Sequence, residues 1–171
     1  MEEYRDLISG RILPYSDDEY VRQAAERVLL ERGWDASTVQ VAAEVCRRVG
    51  GQTVEVKADL LLMAGGRPGL LMRCARASLV SREKEVVAAA RLFADPWVPY
   101  AMTMNGEDAE LLDTASGKVL ATGLEAVPSP AELERMVEEL PPHHPTPGEL
   151  DKAMRVYRTF CFIQCPGKCT V

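Results

Sequence analysis

Nowhere does this chain approach the roughly 18 consecutive apolar residues of a membrane-crossing helix, so an integral membrane protein is not expected. Its start, MEEYRDLISG, is acidic and lacks the basic and apolar regions of a secretion signal. The cysteines number five, an odd count that closes no disulfide framework. Together these absences predict a cytoplasmic protein with free thiols and no membrane partner. General positive charge is missing too: the formal net charge is −6, which argues against a wholly basic nucleic-acid binder. There is no internal repeat and no low-complexity tract. Ser116-Gly-Lys118 lacks the rest of a phosphate-binding loop and reads as a hairpin turn, so no ATP-driven motor is expected.

What remains is a globular composition. Of 171 residues, 47% are apolar and 27% charged, enough for one domain with a core. The charge is unevenly placed. From Arg47 to Arg91 there are nine basic and four acidic residues, net +5, which leaves −11 for the rest. Such a segment can mark a binding face, and Arg67, Arg76, Arg82 and Arg91 are its candidate DNA contacts. Solvated arginines on strand edges and helix surfaces give the same pattern.

Ser16-Asp-Asp-Glu19 is a capping box, followed at helical spacing by Val21, Ala24, Ala25, Val28 and Leu29, with Gly33 placed to end the helix. Residues 38–47 alternate as a strand, with Val39, Val41, Ala43 and Val45 expected on one face. Gly50-Gly51 turns into a second strand, 53–63, whose apolar side is expected to be Val54, Val56, Ala58, Leu60 and Leu62. Glu55, Lys57 and Asp59 then point the other way. Residues 65–69 read as a turn and 69–76, GLLMRCAR, as a third strand that places Arg73 near Asp59. A helix from Ser81 to about Ala94, a strand at 98–104 and a hairpin flanking Ser116-Gly117 follow. Ser129-Pro-Ala-Glu132 and Thr146-Pro-Gly-Glu149 open two final helices. Leu150, Ala153, Met154, Tyr157 and Phe160 give the last one an apolar face that must dock. The order α-β-β-β-α-β-β-β-α-α predicts an α/β fold, a mixed sheet with helices packed on it.

This succession, with Ala-Asp-Leu-Leu-Leu on the second strand, a Gly-rich turn and then Val-Pro-Tyr-Ala-Met-Thr-Met-Asn-Gly, resembles one family over residues 16–122. It is similar to the N-terminal nuclease domain of type I restriction enzyme R subunits, in the PD-(D/E)XK superfamily. The resemblance implies a restriction-endonuclease-like domain over residues 1–125, with a helical extension, 126–171, packed on it. It also implies a metal-binding Asp at Asp59, a metal-holding Glu where this chain has Arg73, a water-steadying Lys where it has Ala75, and a helix Gln where it has Ala88.

Mg²⁺ needs hard oxygen ligands, and a guanidinium in place of one carboxylate puts fixed positive charge where the ion belongs. The leading expectation is therefore a non-catalytic nuclease relic that binds DNA, or a protein partner through the C-terminal helix, with no cofactor. One alternative is an Mg²⁺-dependent DNA endonuclease with a rearranged site, for which Glu19, Glu44 and Lys57 are the candidates beside Asp59. Another is a structural protein-interaction module. The bland reading of Asp59 and Arg73 is a cross-strand ion pair worth about 0.2–1 kcal/mol. Cys161, Cys165 and Cys169 are spaced more widely than the usual zinc pairs and are read as free thiols, although His143 and His144 lie upstream.

Overall fold

The computed structural model describes residues 3–164, without the side chains of 161–164. Cys165, Cys169 and the side chain of Cys161 lie outside the described residues, and with them the expectation for those three thiols. A hairpin of β1 (Glu3–Arg5) and β2 (Ile12–Pro14) precedes α1 (Asp17–Glu31). Then come β3 (Val39–Val49), β4 (Gln52–Ala64), β5 (Arg67–Cys74), α2 (Leu79–Phe93), β6 (Tyr100–Met104), β7 (Ala109–Asp113), β8 (Val119–Thr122), α3 (Pro130–Glu138) and α4 (Pro147–Gln164). Six strands form one sheet in the order β3-β4-β5-β6-β7-β8. Only β5 and β6 run parallel, as the α2 crossover between them requires. This is the mixed α/β architecture that the element order predicts. No helix among the described residues is long and apolar enough to cross a membrane.

Helices cover both faces of the sheet. Val21, Ala25 and Leu29 of α1 and Leu133 and Val137 of α3 pack on Leu60, Leu70, Met72, Met102 and Met104. On the opposite face, α2 from Val86 to Phe93 and Ala153, Met154 and Tyr157 of α4 pack on Val54, Val56, Ala58, Leu61, Leu71, Ala101 and Leu112. The apolar face of α4 therefore docks on α2 and the outer sheet. The indole N–H of Trp34 donates to the Pro128 carbonyl at 2.8 Å and ties the end of α1 to the approach to α3.

Four local expectations need correction. The expected one-sided rows of the first two strands each change face midway. Val39 and Val41 face the α1–α3 layer, whereas Ala43, Val45 and Val49 face the α2–α4 layer. On β4, Val54, Val56 and Ala58 face α2–α4, and Leu60, Leu62 and Ala64 face α1–α3. The cause is local: Ala42 sits at φ +52°, so one residue leaves the pleat and the alternation restarts. Pairing passes from Val41–Leu60 to Ala43–Ala58, so both strands switch together and the register is kept.

Second, the hairpin turn is Gly65-Gly66 alone, and the strand begins at Arg67 and ends at Cys74. Third, α2 starts at Leu79, two residues before Ser81, on an Ser78 cap whose side chain makes no capping bond. Fourth, the first capping box is only half made. Ser16 Oγ accepts from the Glu19 N–H at 3.0 Å, but Glu19 turns to Arg22 and Gln23 at 2.7 and 2.8 Å. A guanidinium and an amide hold a carboxylate better than an exposed backbone N–H does. The boxes at Ser129 and Thr146 are complete.

Candidate functional site

β4 and β5 pair as far as Leu60–Met72 and then separate. Side chains continue the ladder from there. The Asp59 carboxylate accepts from the Cys74 N–H at 2.7 Å, where a backbone carbonyl would otherwise serve. Arg73 Nη1 donates to the Lys57 carbonyl at 3.0 Å, and Nε lies 3.4 Å from Asp59 Oδ2. Its Nη2 lies 3.5 Å from Glu85 Oε1 on α2. The guanidinium therefore sits in the opening between the strands, with one carboxylate on the sheet and another on the helix. From the outer side, Tyr157 Oη of α4 accepts from the Lys57 N–H at 3.1 Å, and Arg158 donates to the Thr53 carbonyl at 3.2 Å. Where β5 leaves, α4 and Arg73 take over the edge of β4.

Burial alone pulls the pKa of the Arg73 guanidinium down, but Asp59 and Glu85 beside it reverse this and hold it above its ordinary value. Burial pushes the Glu85 carboxyl up, partly countered by Arg73 and Arg82. Cys74, buried beside Asp59, has its thiol pushed well up by burial and stays protonated. The residue types do not fit a divalent cation. A permanent positive charge stands between the two carboxylates, and among the described residues no group of three His, Cys, Asp or Glu side chains is placed to hold a metal.

Other expected site residues are placed as follows. Ala75 lies just past β5, its N–H donating to the Met104 carbonyl at 3.1 Å. Ala88 is packed in the α2–α4 core. Glu44 faces Lys57 across the β3–β4 ladder, with Nζ and Oε1 3.6 Å apart. Glu19 is held on the first turn of α1 by Arg22 and Gln23. Of the four arginines, Arg76 pairs with Asp17 at 3.4 Å and lies over the Tyr20 ring. Arg82 pairs with Glu85 at 2.7 Å, and Arg91 donates to the carbonyls of Thr114 and Ala115. Arg67 is exposed at the start of β5, at the other end of that strand from Arg73.

Glu85 and Tyr157 complete the Arg73 site, and sequence reasoning missed both roles. A signal existed for Glu85. It lies three and four residues before Ala88 and Ala89, on the buried stripe of α2, where a charge needs a partner. A second buried cluster was also missed. The hairpin carries Asp6, whose carboxylate accepts from Arg22 and Gln23 at 3.2 and 3.1 Å and from the Ser9 N–H at 2.6 Å. Glu26, fully buried, accepts from the Ile8 N–H at 3.2 Å, and its Oε1 lies 3.7 Å from Arg22 Nε and accepts no hydrogen bond among the described residues. Burial foremost, then neighbouring Asp6, pushes Glu26 up to about 8.

Tyr157→Phe tests the α4 contact. Removing the hydroxyl takes an acceptor from the Lys57 N–H, so stability should fall by about 1 kcal/mol and the Lys57 amide should exchange faster. Unchanged exchange at Lys57 would mean that the contact is not formed in solution.

A family model described as Type I restriction enzyme R protein N terminus matches residues 17–128. Comparison with curated proteins finds no match, and comparison with solved structures finds none.

Proposed function

Because the chain belongs to the family of type I restriction enzyme R protein N termini, we propose that it is a nuclease-like domain without nuclease chemistry that acts by binding a partner. The observation that carries this reading is the Arg73 guanidinium between Asp59 and Glu85. It neutralises the carboxylates as a cation would, but it can neither bind a water as a Lewis acid nor release one. Ala75 supplies no ammonium group to steady an attacking water. The rearranged Mg²⁺ endonuclease gains little support, since Glu19 and Glu44 are engaged in ion pairs of their own.

A protein partner fits better than DNA. Arg82 and Arg91 are committed to contacts within the fold, and the arginines are divided between the two ends of the sheet. By contrast β8, an edge strand, is exposed throughout, with Leu120 54% exposed. An apolar edge strand is a surface that another chain can extend.

Purified protein with Mg²⁺ or Mn²⁺ should leave duplex and single-stranded DNA uncut. Metal-dependent nicking that Asp59→Ala abolishes would overturn the reading. The double variant Arg73→Glu, Ala75→Lys tests the assignment of positions. It gathers three carboxylates at residues 59, 73 and 85, so it should be less stable than the parent until a divalent cation is added. Ligand binding to the folded state alone restores about 2.7 kcal/mol at a hundredfold excess over Kd. An equal response to metal in parent and variant would mean that residue 73 is not the ancestral ligand position.

A further inference from the structure

At the other end of β5, roughly 20 Å along the strand from Arg73, a pocket of about 290 Å³ opens beside the α3–α4 connector. Its lining includes Pro96, Trp97, Pro99, Leu140 and His143, with Arg67 contributed by β5. The walls are pinned. The Trp97 ring packs on His143 with centroids 4.1 Å apart, the Arg91 guanidinium lies 5.6 Å from the indole, and the Trp97 backbone N–H donates to the His143 carbonyl at 3.0 Å. Proline rings fix the adjoining backbone, so little ordering entropy remains to be lost when a ligand enters.

The charges around the pocket are unequal in their commitments. Asp95 is held by His144 at 2.7 Å. Asp113 accepts from the Ser116 N–H and Oγ at 2.9 and 2.6 Å and is also attracted by Arg91. Arg67 is exposed and has no side-chain partner among the described residues. An apolar slot with one uncommitted guanidinium calls for an apolar body bearing one anionic group. The volume lies at the lower end for ligand pockets, enough for a ring system and too small for a long chain.

We propose that this pocket binds a small aromatic or branched apolar carboxylic acid, with its body against Trp97 and the prolines and its carboxylate on Arg67. This site is separate from the Arg73 centre and does not depend on the function proposed for it.

The test uses 2-naphthoate and its neutral counterpart 2-naphthamide, titrated into ¹⁵N-labelled protein. Two tryptophans give two indole N–H signals. The Trp97 signal should shift saturably while that of Trp34, held by Pro128, stays. The acid should bind about fivefold tighter than the amide, as a partly exposed ion pair allows. Arg67→Met, a surface change that should fold normally, should make the two equal. Leu140→Trp, which fills the pocket, should weaken both. No saturable Trp97 shift up to roughly 10 mM ligand, equal affinities for acid and amide in the parent, or full binding by the filled variant would each overturn the proposal.

Discussion

Replacing Arg73 by methionine should lower folding stability by about 3–5 kcal/mol, the loss seen when one partner of a buried ion pair is removed. The side chain is only 18% exposed and Glu85 only 3%. Without the guanidinium, two carboxylates face each other across the opening and the Lys57 carbonyl loses a donor. Arg82 still neutralises part of Glu85, which keeps the loss towards the lower figure. Urea denaturation at neutral pH measures it. Adding Glu85→Leu to Arg73→Met should recover much of the stability, because the stranded charge goes with its partner. A loss below about 0.5 kcal/mol would put Arg73 among ordinary exposed ion pairs and remove the argument that it stands in for a cation.

The second large effect concerns pH. Glu26 has a folded pKa of about 8 against 4.5 for the unperturbed side chain of the unfolded chain. Between those values the unfolded chain has lost this proton while the folded protein keeps it. Stability from Glu26 is therefore complete below pH 4.5 and declines by about 1.4 kcal/mol per pH unit until the folded group ionises near pH 8. Asp6 has the opposite sign. Despite its burial, hydrogen bonds from Ser9 and from the protonated Glu26, and then the charge of Arg22, hold its pKa down, so its contribution is lost only as the pH falls below the carboxylate range. Glu26→Gln keeps a neutral hydrogen-bonding side chain and has no proton to lose. The variant should match the parent near pH 4 and exceed it by several kcal/mol at pH 8.5. Parallel stability curves for the two proteins would show that Glu26 is ionised in the folded state at neutral pH.

Residues that follow one periodicity were legible in the sequence. Val21, Ala25 and Leu29 identify α1, the proline-led boxes identify α3 and α4, and alternation finds the strands. Asp59 and Arg73 could be read as neighbours because a glycine turn folds β5 back along β4. The one-residue shift between Leu62 and Met63, which brings Leu60 opposite Met72, was not legible. The rest depended on contacts between distant segments. Arg22, Gln23 and Glu26 look like a solvated helix face until the hairpin carrying Asp6 covers them, and three-residue strands such as Glu3–Arg5 are too short to show a period. The hydroxyl of Tyr157 acts on a strand 100 residues away. The positive φ of Ala42 was illegible for another reason: the backbone region is one that glycine favours, and nothing about alanine announces it.

That single alanine has a consequence for where the molecule can be divided. By handing the outer half of β3 and β4 to the other layer, it turns Val54, Val56 and Ala58 towards α2 and α4. Cutting the chain at residue 128, where the family match ends, would leave these side chains without the Ala153, Met154 and Tyr157 that help to cover them. The stretch shared with the family and the stretch that encloses its own core have different ends. Comparisons between relatives by isolated fragments should respect the second boundary.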